Sequence, residues 1–249
     1  MYTRIFNRPA TALVVVLAVT LAGVLFPAPA AFANPQSGID AYTAGDPVAA
    51  TKAWVAAAGE GDATSAYLAA KMYEGGQGVV TQPKRVVRYL TQAAEAGHIQ
   101  AQVELGDYYR SGFQEGELDR DPTAALQWYE KAALYQHAEA QSKIGELYFT
   151  GEGVQRNRYE AIRWYSLAAR KYYTPALVHL ANIYWESDAV VQDKPRAYSY
   201  LLLALEASTE ATRPGVGAVM RNREKNLSRA EIETGVRLAE AFRLEYPKR

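Results

Sequence analysis

A block of 36 residues recurs along this chain, and no other feature narrows its possible folds so far. Gly151-Glu152-Gly153-Val154 returns 75 residues earlier as Gly76-Gln77-Gly78-Val79. At the same shift Tyr148 falls on Tyr73, and Ala168-Ala169 on Ala93-Ala94. A further copy lies between them. Leu105-Gly106-Asp107-Tyr108-Tyr109 and Gly112 match Ile144-Gly145-Glu146-Leu147-Tyr148 and Gly151 at a shift of 39. Trp128-Tyr129 and Ala132-Ala133 match Trp164-Tyr165 and Ala168-Ala169 at a shift of 36, so three residues are inserted after Gly112. A fourth copy carries Leu180-Ala181, Tyr184, Ala197, Tyr200 and Ala204. Units of this length bury their apolar faces only against their neighbours, which makes the chain a solenoid.

Each copy reads as two helices. Ala140, Ile144, Gly145 and Tyr148 are spaced by threes and fours and share one helical face, as do Ala161, Trp164, Tyr165 and Ala168 after the turn. Asp46-Pro47 and Asp121-Pro122 place a capping carboxylate before a proline suited to the first helical turn, and Asn157 and Asp193 hold the same cap position. Small residues (Ala140, Gly145, Ala161, Ala168) allow close backbone approach, and Tyr148 and Trp164 fill the space between neighbouring pairs. Gly151 and Gly153 recur with the module and lack a preceding strand, so they are expected to be positive-φ turn residues rather than a phosphate loop.

The pattern A-x-x-x-I-G-x-L-Y-x-x-G-E-G-V followed by A-I-R-W-Y-S-L-A-A resembles the Sel1-like repeat, a relative of the tetratricopeptide repeats. The resemblance runs over residues 61–207 as about four repeats, and Ser187-Asp188-Ala189-Val190 departs from the Gly-x-Gly-Val turn. It implies an all-α, right-handed superhelical solenoid of antiparallel helix pairs. Residues 34–60 are expected to be an N-terminal cap or degenerate half repeat. Residues 208–249 are read as a polar loop with Pro214, Gly215 and Gly217, then a capping helix. Ser228-Arg229-Ala230-Glu231 is that helix's capping box, and Ile232, Gly235, Leu238, Ala239 and Phe242 are its apolar stripe.

Residues 1–33 read as a secretory signal: Arg4 and Arg8, an apolar run from Leu13 to Phe26, and Ala31-Phe32-Ala33 before a cut at Asn34. The apolar run is short against the roughly 20 residues of a membrane span. The expected location is therefore periplasmic or secreted, with an uncleaved membrane anchor as the alternative. The chain has no cysteine, which excludes disulfides, thiolate metal sites and a lipidated cleavage point. Its formal net charge of zero gives no field for nucleic acid.

His98 and His137 share a repeat position in the turn between modules, and His179 lies in a first helix; none has metal-ligand spacing. The acidic run Gln114 to Asp121 lacks the glycine and glutamate placement of a calcium loop and is expected to be solvated. No metal or cofactor is expected, and no nucleophile elbow is present.

By analogy with tetratricopeptide repeats, the first helices line a groove at fixed offsets from the Leu/Ile-Gly pair. These positions are Tyr67, Lys71 and Glu74; Val103, Asp107 and Arg110; Ser142, Glu146 and Phe149; Val178, Asn182 and Trp185. They vary between copies while the packing positions do not. Phe149 and Trp185 stand out because Tyr148 and Tyr184 fill the core role. The expected function is a non-catalytic scaffold or regulator holding a protein or peptide of a cell-envelope complex. The alternative is a cell-wall glycan binder or hydrolase using groove carboxylates.

Overall fold

A computed structural model describes residues 35–77, 79–113, 117–186 and 191–248. The expected signal segment, Gly78, Gln114-Glu115-Gly116 and Ser187-Asp188-Ala189-Val190 lie outside the described residues.

The described residues form twelve helices, and their only β pairing is an isolated bridge. α1 (Pro35–Thr43) and α2 (Pro47–Gly59) lead the solenoid. Four helix pairs follow: α3 (Ala63–Gly75) with α4 (Pro83–Glu95), α5 (Ile99–Ser111) with α6 (Pro122–Leu134), α7 (Ala138–Thr150) with α8 (Arg158–Ala169), and α9 (Thr174–Trp185) with α10 (Lys194–Ala207). α11 (Arg213–Glu224) and α12 (Arg229–Glu245) close the far end, both against α10. Through α10, each helix packs on the one before it. None of the described helices is long and apolar enough to cross a membrane.

Local chemistry starts these helices where the caps predict. Asp46, Asp121, Asn157 and Asp193 each accept backbone N–H groups of the following turn, and Ser228 and Glu231 form the full capping box. Asp62 caps α3 in the same way. The repeated histidines are caps too: His98 Nδ1 accepts from the Ala101 N–H at 3.2 Å, and His137 Nδ1 from Ala140 at 3.4 Å. Gly151 and Gly153 have φ of +83° and +69°, as a turn requires. A Cβ on Gly153 would lie 2.6 Å from the Pro122 carbonyl carbon, so this turn seats on the start of the preceding repeat's second helix.

Two sequence expectations are corrected. The stretch after Ala207 is not a loop throughout, because 213–224 is helical. Pro214 falls in the first turn, where a missing N–H is harmless, and Gly217 lies against Leu205 of α10. The inserted loop is not simply solvated. Phe113 and Leu118 exchange backbone hydrogen bonds and pack on the first core cluster, with Phe113 stacked 4.1 Å from Tyr108. Burying these two apolar side chains holds residues 113 and 118 against the repeat, while Asp119 and Asp121 stay exposed as expected.

Candidate functional site

The first helices α3, α5, α7 and α9 carry the predicted groove residues, and the structure shows what each touches. Tyr67 donates to Glu104 at 2.7 Å, and Lys71 reaches both Glu104, at 3.3 Å, and Glu74. Tyr108 donates to Glu74 at 2.5 Å. Burial weighs against the Lys71 charge and against the Glu74 charge. The contacts of Lys71 with Glu74 and Glu104, and of Glu74 with Lys71 and Tyr108, together outweigh it, so Lys71 stands above and Glu74 below the ordinary value. α3 is thereby bound to α5 through a continuous polar network.

The next junction uses different groups. Asp107 accepts from Tyr129 at 2.6 Å and pairs with Lys143 at 2.8 Å. Arg110 grips both Glu146 oxygens, at 2.8 and 3.0 Å, and donates its Nε to Glu152 at 2.8 Å. This fork holds Arg110 above and Glu146 below their usual ranges. α5 is thus clamped to α7 and to the Glu152 turn.

The far end is aromatic. Phe149 is half-buried on the C-terminal core cluster, with the Arg158 guanidinium 5.4 Å from its ring. Trp185 lies under Arg223, at 4.9 Å, and Lys194, at 5.7 Å. Arg223 also donates to Asn182 Oδ1 at 2.7 Å.

The sequence reading placed Val103 and Ser142 on this face, and both are buried: Val103 is 0% exposed and Ser142 6%. The side chains one residue later, Glu104 and Lys143, take the outward role at this first offset of α5 and α7, while Asp107, Arg110 and Glu146 keep the assumed register. Tyr148 and Phe149 both pack on core residues, so the core role is shared rather than filled by Tyr148 alone. Sequence reasoning missed Glu104, Tyr108, Lys143 and Glu152, although the first three stand within one helical turn of the named positions. Among the described residues no cluster of metal-ligating side chains occurs.

The family model of the Sel1 repeat matches residues 63–98, 99–134, 138–173 and 174–208, more than half of the chain. The chain belongs to the Sel1 repeat family. Such repeats are protein-interaction scaffolds. The chain is 36% identical over 109 residues to the chitin synthase regulator SKT5 of Saccharomyces cerevisiae, covering 43% of this chain and 16% of that protein. It is 29% identical over 137 residues to an exopolysaccharide production negative regulator of Rhizobium meliloti, covering 51% of each. The chain therefore spans about half, or less, of these curated relatives. Among solved structures, c5321, a protective antigen of uropathogenic Escherichia coli with an SLR fold, superposes with a TM-score of 0.68 at 26% identity. That match covers 80% of this chain and 42% of the antigen. A Sel1 repeat protein from Oxalobacter formigenes gives 0.65 at 28% identity over 74% of both chains.

Proposed function

We propose that this Sel1 repeat chain is an exported, non-catalytic scaffold or regulator of a cell-envelope complex. It holds a protein or peptide segment on the face lined by α3, α5, α7 and α9. One observation carries the choice of binding end. The charged groove side chains Lys71, Glu74, Arg110 and Glu146 of α3, α5 and α7 are spent on one another or on their neighbours, whereas Phe149 and Trp185 present aromatic rings flanked by arginines. Buried aromatics beside arginines are the usual anchors of protein interfaces. The regulator names of the relatives support the same class. The export reading rests on Arg4, Arg8, the apolar run and Ala31-Phe32-Ala33.

A glycan hydrolase is the weaker reading. A general acid needs a carboxyl held above its ordinary pKa, and Glu74 and Glu146 are both held below it by their cationic partners.

In-cell crosslinking, followed by purification and mass spectrometry, tests the proposal against the Phe149→Ala/Trp185→Ala double variant. One envelope protein recovered with the wild type and lost with the folded variant is the expected result. Recovery of glycan fragments alone, or peptidoglycan turnover abolished by one groove carboxylate substitution, overturns it. N-terminal sequencing of the mature chain is expected to begin at Asn34; an intact Met1 removes the cleaved-signal reading.

A further inference from the structure

The chain places its own arginine on the face proposed to seat a partner. Arg223, near the end of α11, donates to the Ala181 carbonyl at 3.1 Å and to Asn182 Oδ1 at 2.7 Å. Its guanidinium carbon stands 4.9 Å from the centre of the Trp185 ring. Two acceptors and one aromatic ring suit a guanidinium, whose separate N–H groups reach both acceptors at once, better than a lysine ammonium. Asn182 and Trp185 are three residues apart on one rigid helix, so the position exists whether or not Arg223 fills it.

Helix capping does not account for this contact. Ala181 lies inside α9, where its carbonyl already serves the helix, so Arg223 completes no helix end. Nor does ion pairing. Among the described residues no carboxylate lies within ion-pair distance of Arg223; Glu186 acts on it only from farther away, and burial pulls its pKa below the ordinary value. Arg110, on the same face, is gripped by two carboxylates. A partly buried guanidinium with no carboxylate in reach among the described residues is a costly arrangement and a replaceable one. The helix that carries it is lightly held. Val216 and Gly217 are its buried residues, and its other side-chain anchor at this end is Glu224, which accepts from the Tyr198 hydroxyl.

We infer that the Ala181 carbonyl, Asn182 and Trp185 form a guanidinium-recognition position, that Arg223 occupies it as a built-in competitor, and that the partner presents an arginine in its place. This rests on the proposed use of the α3–α9 face and names the chemistry of what binds there. α11 then acts as an autoinhibitory latch, and its tether sets the local concentration that an incoming arginine must beat.

The test uses the full mature chain with 15N-labelled indoles, the Trp185 signal being assigned with Trp185→Phe. N-acetyl-arginine amide is titrated into wild type, Arg223→Ala and Arg223→Gln, with N-acetyl-citrulline amide and N-acetyl-lysine amide as comparators. Both variants are expected to bind the arginine probe at least tenfold more tightly than wild type. They are expected to prefer it over citrulline and lysine, and to lose the gain when Asn182→Ala is added. Equal affinity for wild type and variants, equal response to citrulline, or a silent Trp185 signal in all three chains overturns the inference. Any of these results beside a crosslinked partner that still depends on Phe149 and Trp185 leaves the scaffold reading standing and removes the arginine position alone.

Discussion

The second and third repeats close their helix pairs with glycine against tyrosine, Gly106 on Tyr129 and Gly145 on Tyr165, whereas the same positions of the first and fourth hold Ala70 with Leu90 and Ala181 with Leu201. All four large side chains are sealed from solvent. A methyl lost on one helix is matched by a larger side chain on the other, so the space between helices stays filled. A Cβ on Gly106 would sit 2.4 Å from Tyr129 Cε1, and one on Gly145 2.9 Å from Tyr165 Cδ1. The exchange also carries a hydroxyl across the pair. Tyr129 delivers it to Asp107, so the core of repeat two is tied to the binding face. The Tyr165 hydroxyl is buried without a partner. Glu146, at the position of Asp107, is turned to Arg110, and His179, at the position of Lys143, stacks on the Tyr165 ring at 4.7 Å.

The largest way to break this contrast is to restore side chains at the glycines. Gly145→Val drives two branches into Tyr165 and is expected to destabilise by about 3 kcal/mol, and Gly106→Ala by about 2 kcal/mol. Transplanting the outer pairing should rescue the inner one: Gly145→Ala/Tyr165→Leu is expected to recover most of what Gly145→Ala loses. Urea denaturation midpoints decide it. A double variant no more stable than the single one would mean that the pairs are not interchangeable and that the volume argument fails.

The repeat, the caps and the turn glycines were legible in the sequence because spacing and residue type recur together; one fixed offset identifies Asp121, Asn157 and Asp193 as caps. α11 was not, since Pro214, Gly215 and Gly217 read locally as a breaker and its helix is held from outside by α10. The binding face was legible except at the first offset of α5 and α7, where Val103 and Ser142 are buried and the next side chains, Glu104 and Lys143, point outward. What those residues bind was not legible. Arg110 meets Glu152, and Arg223 meets Asn182, only after the solenoid brings residues some forty positions apart together.

A sharper comparison asks the two central tyrosines for their hydroxyls. Tyr129→Phe removes a donor from Asp107, which keeps Lys143, and is expected to cost roughly 1–2 kcal/mol. Tyr165→Phe removes a hydroxyl that has no partner and is expected to be neutral or slightly stabilising. Equal losses in thermal or chemical denaturation would show that Tyr165 is bonded in solution and that the two repeats are alike after all.

The smallest expected effect concerns what covers each ring. Lys143 sits 5.9 Å from the Tyr129 ring, whereas His179 is half-buried on Tyr165, and burial pushes its pKa below 6.5 against the opposing pull of Glu146. Between that depressed value and 6.5 the unfolded chain binds the proton more readily than the folded one. The contribution of His179 is therefore present above about pH 6.5 and is lost as the pH falls through its folded pKa. His98, also lowered by burial, adds a part in the same window. The carboxylates act in a separate one: Glu74 and Glu146, held below 4.5, withdraw their stabilisation only as the pH drops beneath that value. His179→Phe keeps a ring on Tyr165 and removes the proton site. Its stability is expected to decline less than that of the wild type between pH 7 and 5.5 and to rejoin the wild-type slope below 4.5. Superimposable profiles across the upper window would mean that the third junction tolerates a charged His179 as readily as the second tolerates Lys143.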